Sequence, residues 1–319
     1  MLTELAIAVA IVIAVALPHA LPLERVAPAV AAAVWLNALL LRAVVSLGGA
    51  VFLFVYLPDT GVFQALARWC LHEVVPLLAM HLGFSGHPLA HAAVVLPAVV
   101  LAGSLMWVLV GLARAWMALR RQLRTALGAG PGGSTVIDDD EVVVAVTAVG
   151  RPHIVLSAAA LSAMDSQELR ASVAHERGHL RRRHRPVLLI GSVLAAIARP
   201  LPGTRLGEGE LGFHLERDAD EFAVRETHDP LALASAICKA AQSRALAWTP
   251  LAGRGPVTSR LDILVDGGPP RSALVERLAA SLAVLLAALT LVIAVTVPAW
   301  VTASPAAAVP AASSARCPH

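Results

Sequence analysis

Charge is scarce in this chain. Of its 319 residues, 15% are Asp, Glu, Lys or Arg against 57% hydrophobic, and the mean hydropathy is +0.72. A soluble domain rarely carries so little charge, so the balance points to a membrane protein. A net charge of +3 is too small to argue for a nucleic-acid partner. Cysteine is scarce as well: Cys70, Cys238 and Cys317 show no CxxC spacing, which excludes a cysteine zinc site and a disulfide framework. Lysine is nearly missing, with Lys239 alone among arginines, and this reads as a trait of composition. The single tyrosine, Tyr56, falls in a hydrophobic run, so no tyrosine serves a catalytic role in the polar part of the chain.

What is abundant is apolar sequence, gathered before residue 119 and after residue 277. A bilayer core needs about 20 apolar residues in a helix. Four runs qualify: Leu5–Leu23, Val26–Leu57 with Trp35–Leu57 as its buried part, Ala92–Ala113, and Leu278–Val297. The start "MLTE" has an acid and no basic residue, which favours a retained first span over a cleaved signal peptide. After the third run, Arg114, Arg120, Arg121 and Arg124 come without an acid, while the loop 58–91 carries Asp59, Arg68 and Glu73. Cationic residues stay on the cytoplasmic side, so residues 114–277 are expected in the cytoplasm, with Arg271 and Arg277 in agreement. Arg42, inside the second run, is expected to snorkel to the cytoplasmic interface and not to pair at depth. Cys70 and Cys317 both fall outside, where an oxidised pair tying the tail to the loop is one reading and two free thiols the other.

The polar insert opens with "GAGPGGS" (Gly128–Ser134), a flexible linker by composition, and closes near "DGGPP" at Pro270. Glu141–Val149 and His153–Ser157 read as strands joined by a "GRP" turn. Asp165 with Glu168 three residues on forms a capping box, and Leu169, Val173, Glu176 and Leu180 follow at helical spacing. A second helix is expected over about 208–225. A third is expected from Pro230 with Asp229 as its cap.

The first of these helices contains "HERGH". His175 and His179, at i and i+4, share a face and can reach one ion at roughly 2.0–2.1 Å, with Glu176 beside it. Zinc suits two neutral imidazoles with an open position for water. A catalytic site needs a third protein ligand. Downstream, Glu216 and Asp220 share a helix face, so Glu216 can ligate while Asp220 holds the N–H of a ligating histidine. Glu208, Glu210 and His214 are nearby alternatives, and His184 reads as part of the basic helix end. Glu176 would then be the general base toward a water attacking a peptide carbonyl. Arg260, His228 and His153 are candidate oxyanion stabilisers, and the strand 142–149 can align an extended substrate. "CLHEVVP" at Cys70–Pro76 imitates the motif but has Pro76 in place of the second histidine.

The segments "RPHIVLS", "MDSQELRASVAHERGHLRRRH" and "LERDADEFA", set between three runs and a fourth, resemble the BlaR/MecR-type membrane metallopeptidases, the antirepressors of β-lactam sensing. "TSRLDILVDG" looks like the arginine-containing segment that closes such domains. The resemblance implies that His175, His179 and Glu216 ligate one catalytic Zn2+, that Glu176 is the base, and that Asp220 supports a ligand. It implies cleavage of a cytoplasmic winged-helix repressor, and of the chain itself, after a transmembrane signal. The penicillin-binding domain of those sensors has no counterpart in the short tail, so β-lactam binding is not implied. The expected fold is a mostly α membrane protein. Residues 1–127 hold three transmembrane helices and residues 128–270 a cytoplasmic α+β zincin (gluzincin-like) domain. Residues 271–303 form the fourth helix and 304–319 an external tail. The expected location is the cell membrane, in contact with lipid. Two other readings compete: a quality-control or processing peptidase of the HtpX/prenyl-protease kind, and a non-catalytic receptor.

Overall fold

The computed structural model describes residues 14–56, 102–104, 106–114, 116–117, 126–146, 153–242 and 257–303, with the single positions 12 and 99. The described chain is mostly helical, with one small sheet. Residues 14–20 are helical, and a 3-10 turn at Leu23–Arg25 leads into helix α1, Pro28–Tyr56. Pro28 at its first position costs no hydrogen bond, since the first N–H groups of a helix have no partner within it. The final helix, α8, runs Ala273–Ala303. Pro28–Ala50 and Ala273–Thr296 are long and apolar enough to cross a membrane. Residues 5–11 and 13 of the expected first span and part of the third lie outside the described residues, as do the loop 58–91, the tail 304–319, Cys70 and Cys317. Residues 102–104 and 106–114 of the third run are helical.

Among the described residues from 126 to 266 the elements are β1 Ala126–Ala129, β2 Thr135–Ile137, β3 Val144–Val146, β4 Ile154–Ser157, α2 Ala158–Ala163, α3 Ser166–Arg181, α4 His184–Ile197, α5 Thr204–Thr227, α6 Pro230–Gln242 and α7 Val257–Asp266. The sheet order is β1-β2-β4-β3. β2 pairs parallel with β4, while β1 and β3 are antiparallel edges. The two expected strands do pair, Val146 opposite Ile154; residues 147–152, with the turn between them, lie outside the described residues.

Three expectations change. "GAGPGGS" is not a linker but the bend of the β1–β2 hairpin. Gly132 has φ +68° there, and a Cβ on it would meet the Val173 and Arg177 side chains at 2.9 Å. Glycine serves because it reaches that conformation freely and leaves room against α3. Second, the helix expected from about 208 already starts at Thr204, after Gly203 at φ +77°. Third, Arg42 does not snorkel. It is fully buried, donating to Val15 O at 2.7 Å and lying 2.9 Å from His19 Nε2, so backbone and imidazole acceptors replace water.

The two predicted helix starts are present. Asp165 accepts from Gln167 and Glu168 N–H while Glu168 returns a bond to Asp165 N–H. Asp229 Oδ1 accepts from Ala232 N–H at 2.9 Å at the start of α6. The largest core joins α1 (Val34, Trp35, Leu39), α5 (Leu211, Leu215) and α8 (Leu282, Leu286). Ser272 N–H donates to Arg25 O, which sets the first turns of α1 and α8 side by side. A second core, of Ala171, Ala174, Ala223, Leu233 and Leu264, joins α3, α5, α6 and α7. α5 therefore belongs to both cores, and its two halves face different partners.

Candidate metal centre

α3 and α5 cross at Gly178, where α3 has no side chain. Gly178 of α3 lies against Ala219 and Phe222 of α5. The close approach turns the histidine pair of α3 toward the acids of α5. His175 Nε2 and His179 Nε2 lie 3.1 Å apart, and Glu216 reaches them at 3.4 Å and 3.5 Å. Ligands held about 2.0–2.1 Å from a tetrahedral ion stand roughly 3.3–3.4 Å from one another. The three edges bracket that value, so the donor set fits. Two imidazole nitrogens and one carboxylate oxygen form a group that could hold a metal ion.

The surroundings fix each donor. His175 Nδ1 lies 2.9 Å from Asp220 Oδ1, off the straight N–H···O line, and no other acceptor reaches it. Arg260 of α7 donates twice to Asp220, both at 2.8 Å, and places Nη1 2.9 Å from Glu216. Burial works against the Glu216 carboxylate, but Arg260 and the histidines outweigh it and hold Glu216 well below the usual range. Asp220 is depressed by Arg260 and His175 in the same way. Burial pulls His179 down to about 3. Burial also opposes a charge on His175, but Asp220 and Glu216 prevail and raise it to about 10.

Glu176 stands beside the cluster on the next α3 position. Its Oε2 accepts from Val146 N–H at 2.8 Å, which ties it to edge strand β3. Burial pushes it up to about 7, with His175 and Val146 N–H opposing and Glu216 adding to the rise. A carboxyl poised near neutrality next to a group that could hold a metal ion suits a residue that both takes and gives a proton.

The structure thus brings together His175, Glu176, His179, Glu216, Asp220 and Arg260. Arg260 binds carboxylates here, so its guanidinium already serves Asp220 and Glu216. His228, the other oxyanion candidate, is the exposed C-cap of α5, eight residues or roughly 12 Å past Asp220. His153 stands just before β4. Of the alternative ligands, Glu208 accepts from Ser192 Oγ, while His214 is buried against Arg217 and Glu210; none joins the cluster. Sequence reasoning missed the group behind His179. His184 is not part of the basic end of α3. Arg183 turns left-handed (φ +56°), α4 starts at His184, and the ring packs back 3.0 Å from His179 Nδ1 and 3.0 Å from Asp218 Oδ2. Arg182 holds the other oxygen of Asp218. Asp218 was not singled out, because nothing in the spacing of the "LERDADEFA" run showed that the chain would fold His184 back to it.

Comparison with family models, with curated proteins and with solved structures finds no match to this chain.

Proposed function

We propose that the chain is an integral-membrane zinc endopeptidase of signal transduction that cleaves a cytoplasmic transcriptional repressor. One observation carries the chemistry: His175, His179 and Glu216 converge at tetrahedral spacing, with the buried carboxyl of Glu176 beside them. Two nitrogens and one carboxylate with a base alongside is the donor set of a catalytic zinc site that keeps an open position. The substrate class comes from the resemblance to BlaR/MecR-type peptidases. The two long apolar helices, together with the first and third runs, which fall partly within the described residues, are read as four spans. Arg25, Arg271 and Arg277 gather at the shared starting end of α1 and α8, which supports a cytoplasmic face for the domain.

Bound zinc would polarise water and the scissile carbonyl. Glu176 takes the water's proton and returns it to the departing amine, a task suited to a carboxyl near neutrality. Asp220 keeps His175 oriented, and Arg260 keeps Asp220 and Glu216 ionised. Among the described residues β3 pairs with β4 alone, so its other edge can align an extended peptide. Because Val146 N–H already holds Glu176, the same strand positions base and substrate.

The test uses the full chain in detergent. Zinc content near one ion per chain and cleavage of an unstructured protein are expected. Glu176→Gln should keep the zinc and lose cleavage. A wild-type chain without stoichiometric zinc, or a Glu176→Gln chain that cleaves as well as wild type, rules the reading out.

A further inference from the structure

We infer that Asp218, acting through His184, decides which nitrogen of His179 carries its proton, and so keeps the Nε2 lone pair of His179 aimed at the metal position. The inference rests on the metal-peptidase reading above and assigns positioning roles to two residues that do not touch the ion.

The argument is a count of protons along a buried chain. Asp218 and His184 are 4% and 2% exposed, so water does not fill in for missing partners. Arg182 donates to one Asp218 oxygen and balances its charge. The other oxygen can only accept, so His184 Nε2, 3.0 Å away, carries the hydrogen. A neutral imidazole has one N–H, so His184 Nδ1 is an acceptor. His179 Nδ1, 3.0 Å from it, must then be the donor. That leaves the lone pair of His179 on Nε2, the atom 3.1 Å from His175 Nε2 and 3.5 Å from Glu216. Asp220 does the same for His175 at 2.9 Å without an intermediary. All three donors are thus governed from α5: Glu216 directly, His175 through Asp220, and His179 through Asp218 and His184. The extra link is needed because Asp218, two residues from Glu216, leaves α5 on nearly the opposite side and cannot meet His179 itself.

The Asp218→Asn variant tests the count at almost constant shape. Arg182 offers only donors, so it takes the amide oxygen and leaves the NH2 group facing His184. Every link then reverses, and His179 presents Nε2–H to the metal position. His184→Gln is the matching control. Its NH2 can donate to Asp218 and its oxygen can accept from His179, which preserves the direction.

Zinc affinity of the full chain in detergent is read by competition with a chromophoric chelator. Cobalt(II) absorption reports the geometry, and circular dichroism the fold. Asp218→Asn should bind zinc about 10–100-fold more weakly, in the range known for lost partners of metal-bound histidines. His184→Gln should stay within a few-fold of wild type with an unchanged cobalt spectrum. If Asp218→Asn does not fold, His184→Leu replaces it, with the same loss expected. Wild-type affinity in Asp218→Asn or its replacement, with wild type binding zinc normally, overturns the relay and leaves the peptidase reading standing. A loss in His184→Gln as large as in Asp218→Asn also overturns it, because direction would then not matter. A wild-type chain that binds no zinc overturns the metal site and the relay with it.

Discussion

Gly178 and Ala219 are in such close contact that a Cβ on the glycine would lie 3.2 Å from the alanine Cα. The glycine of "HERGH" is therefore a spacer between the two helices that supply the ligands. Gly178→Val must push α3 and α5 apart. Overpacking of this kind costs about 1–3 kcal/mol, and here it also lengthens the gap from the histidines to Glu216. The variant should melt at a lower temperature and lose most zinc affinity. Wild-type zinc affinity in a folded Gly178→Val chain would show that the crossing does not set the site.

Arg260 bridges Asp220 and Glu216 with its guanidinium, and it is nearly buried. Removing one member of a buried charge group typically costs about 3–5 kcal/mol. Arg260→Gln should accordingly unfold early in the presence of a chelator. Added zinc, by neutralising Glu216, should recover more stability in the variant than in wild type. Melting curves with chelator and with zinc provide the comparison. An identical loss in both conditions would separate Arg260 from the metal site.

Glu168 offers a test away from the candidate metal site. It accepts from Ser235 Oγ and Lys239 Nζ, both at 2.6 Å, and from Asp165 N–H at 2.8 Å. Burial alone would raise it, but these donors lower it from 4.5 to about 2. A depressed carboxyl stabilises the fold fully above its unfolded value and loses that contribution as pH falls toward its folded value. Wild type should therefore exceed Glu168→Gln in stability at neutral pH, with the gap closing between pH 4.5 and about 2. Denaturant titrations at several pH values measure the gap. A gap independent of pH would count against the ionised capping box.

Gly132 carries the hairpin bend against α3 with φ +68°. A side chain in that left-handed region costs about 1–2 kcal/mol, and its Cβ would press on Val173. Gly132→Ala should lower the melting temperature and leave zinc affinity within a few-fold of wild type. An unchanged melting temperature would mean that the hairpin does not pack on α3.

Local chemistry made much of this legible in the sequence. Capping residues announce α3 and α6 because they act within one turn, and the i, i+4 spacings of His175 with His179 and of Glu216 with Asp220 carry directly into the site. What escaped the reading depends on distant contacts. A glycine run looks the same in a linker and in a hairpin until Val173 is found beneath it. The burial of Arg42 needs His19 and Val15 from another helix. His184 joins the site through one left-handed residue, Arg183, which no pattern of side chains marks. Arg260 was singled out as a cation near the chemistry, and its grip on two carboxylates appeared only with α7 in place.

α5 is a single 24-residue helix. At its N-cap Gly203 faces His19 and Arg42, at Gly207 it lies against Trp35 and Leu39, and beside Glu216 the Arg217 side chain donates to Glu24 O. A hydrogen-bonded helix of this length behaves as a stiff lever over distances of tens of ångströms. α1 therefore packs against the helix that carries Glu216, and since the three donor atoms stand only 3.1–3.5 Å apart, the spacing that suits an ion depends on how the two helices sit together.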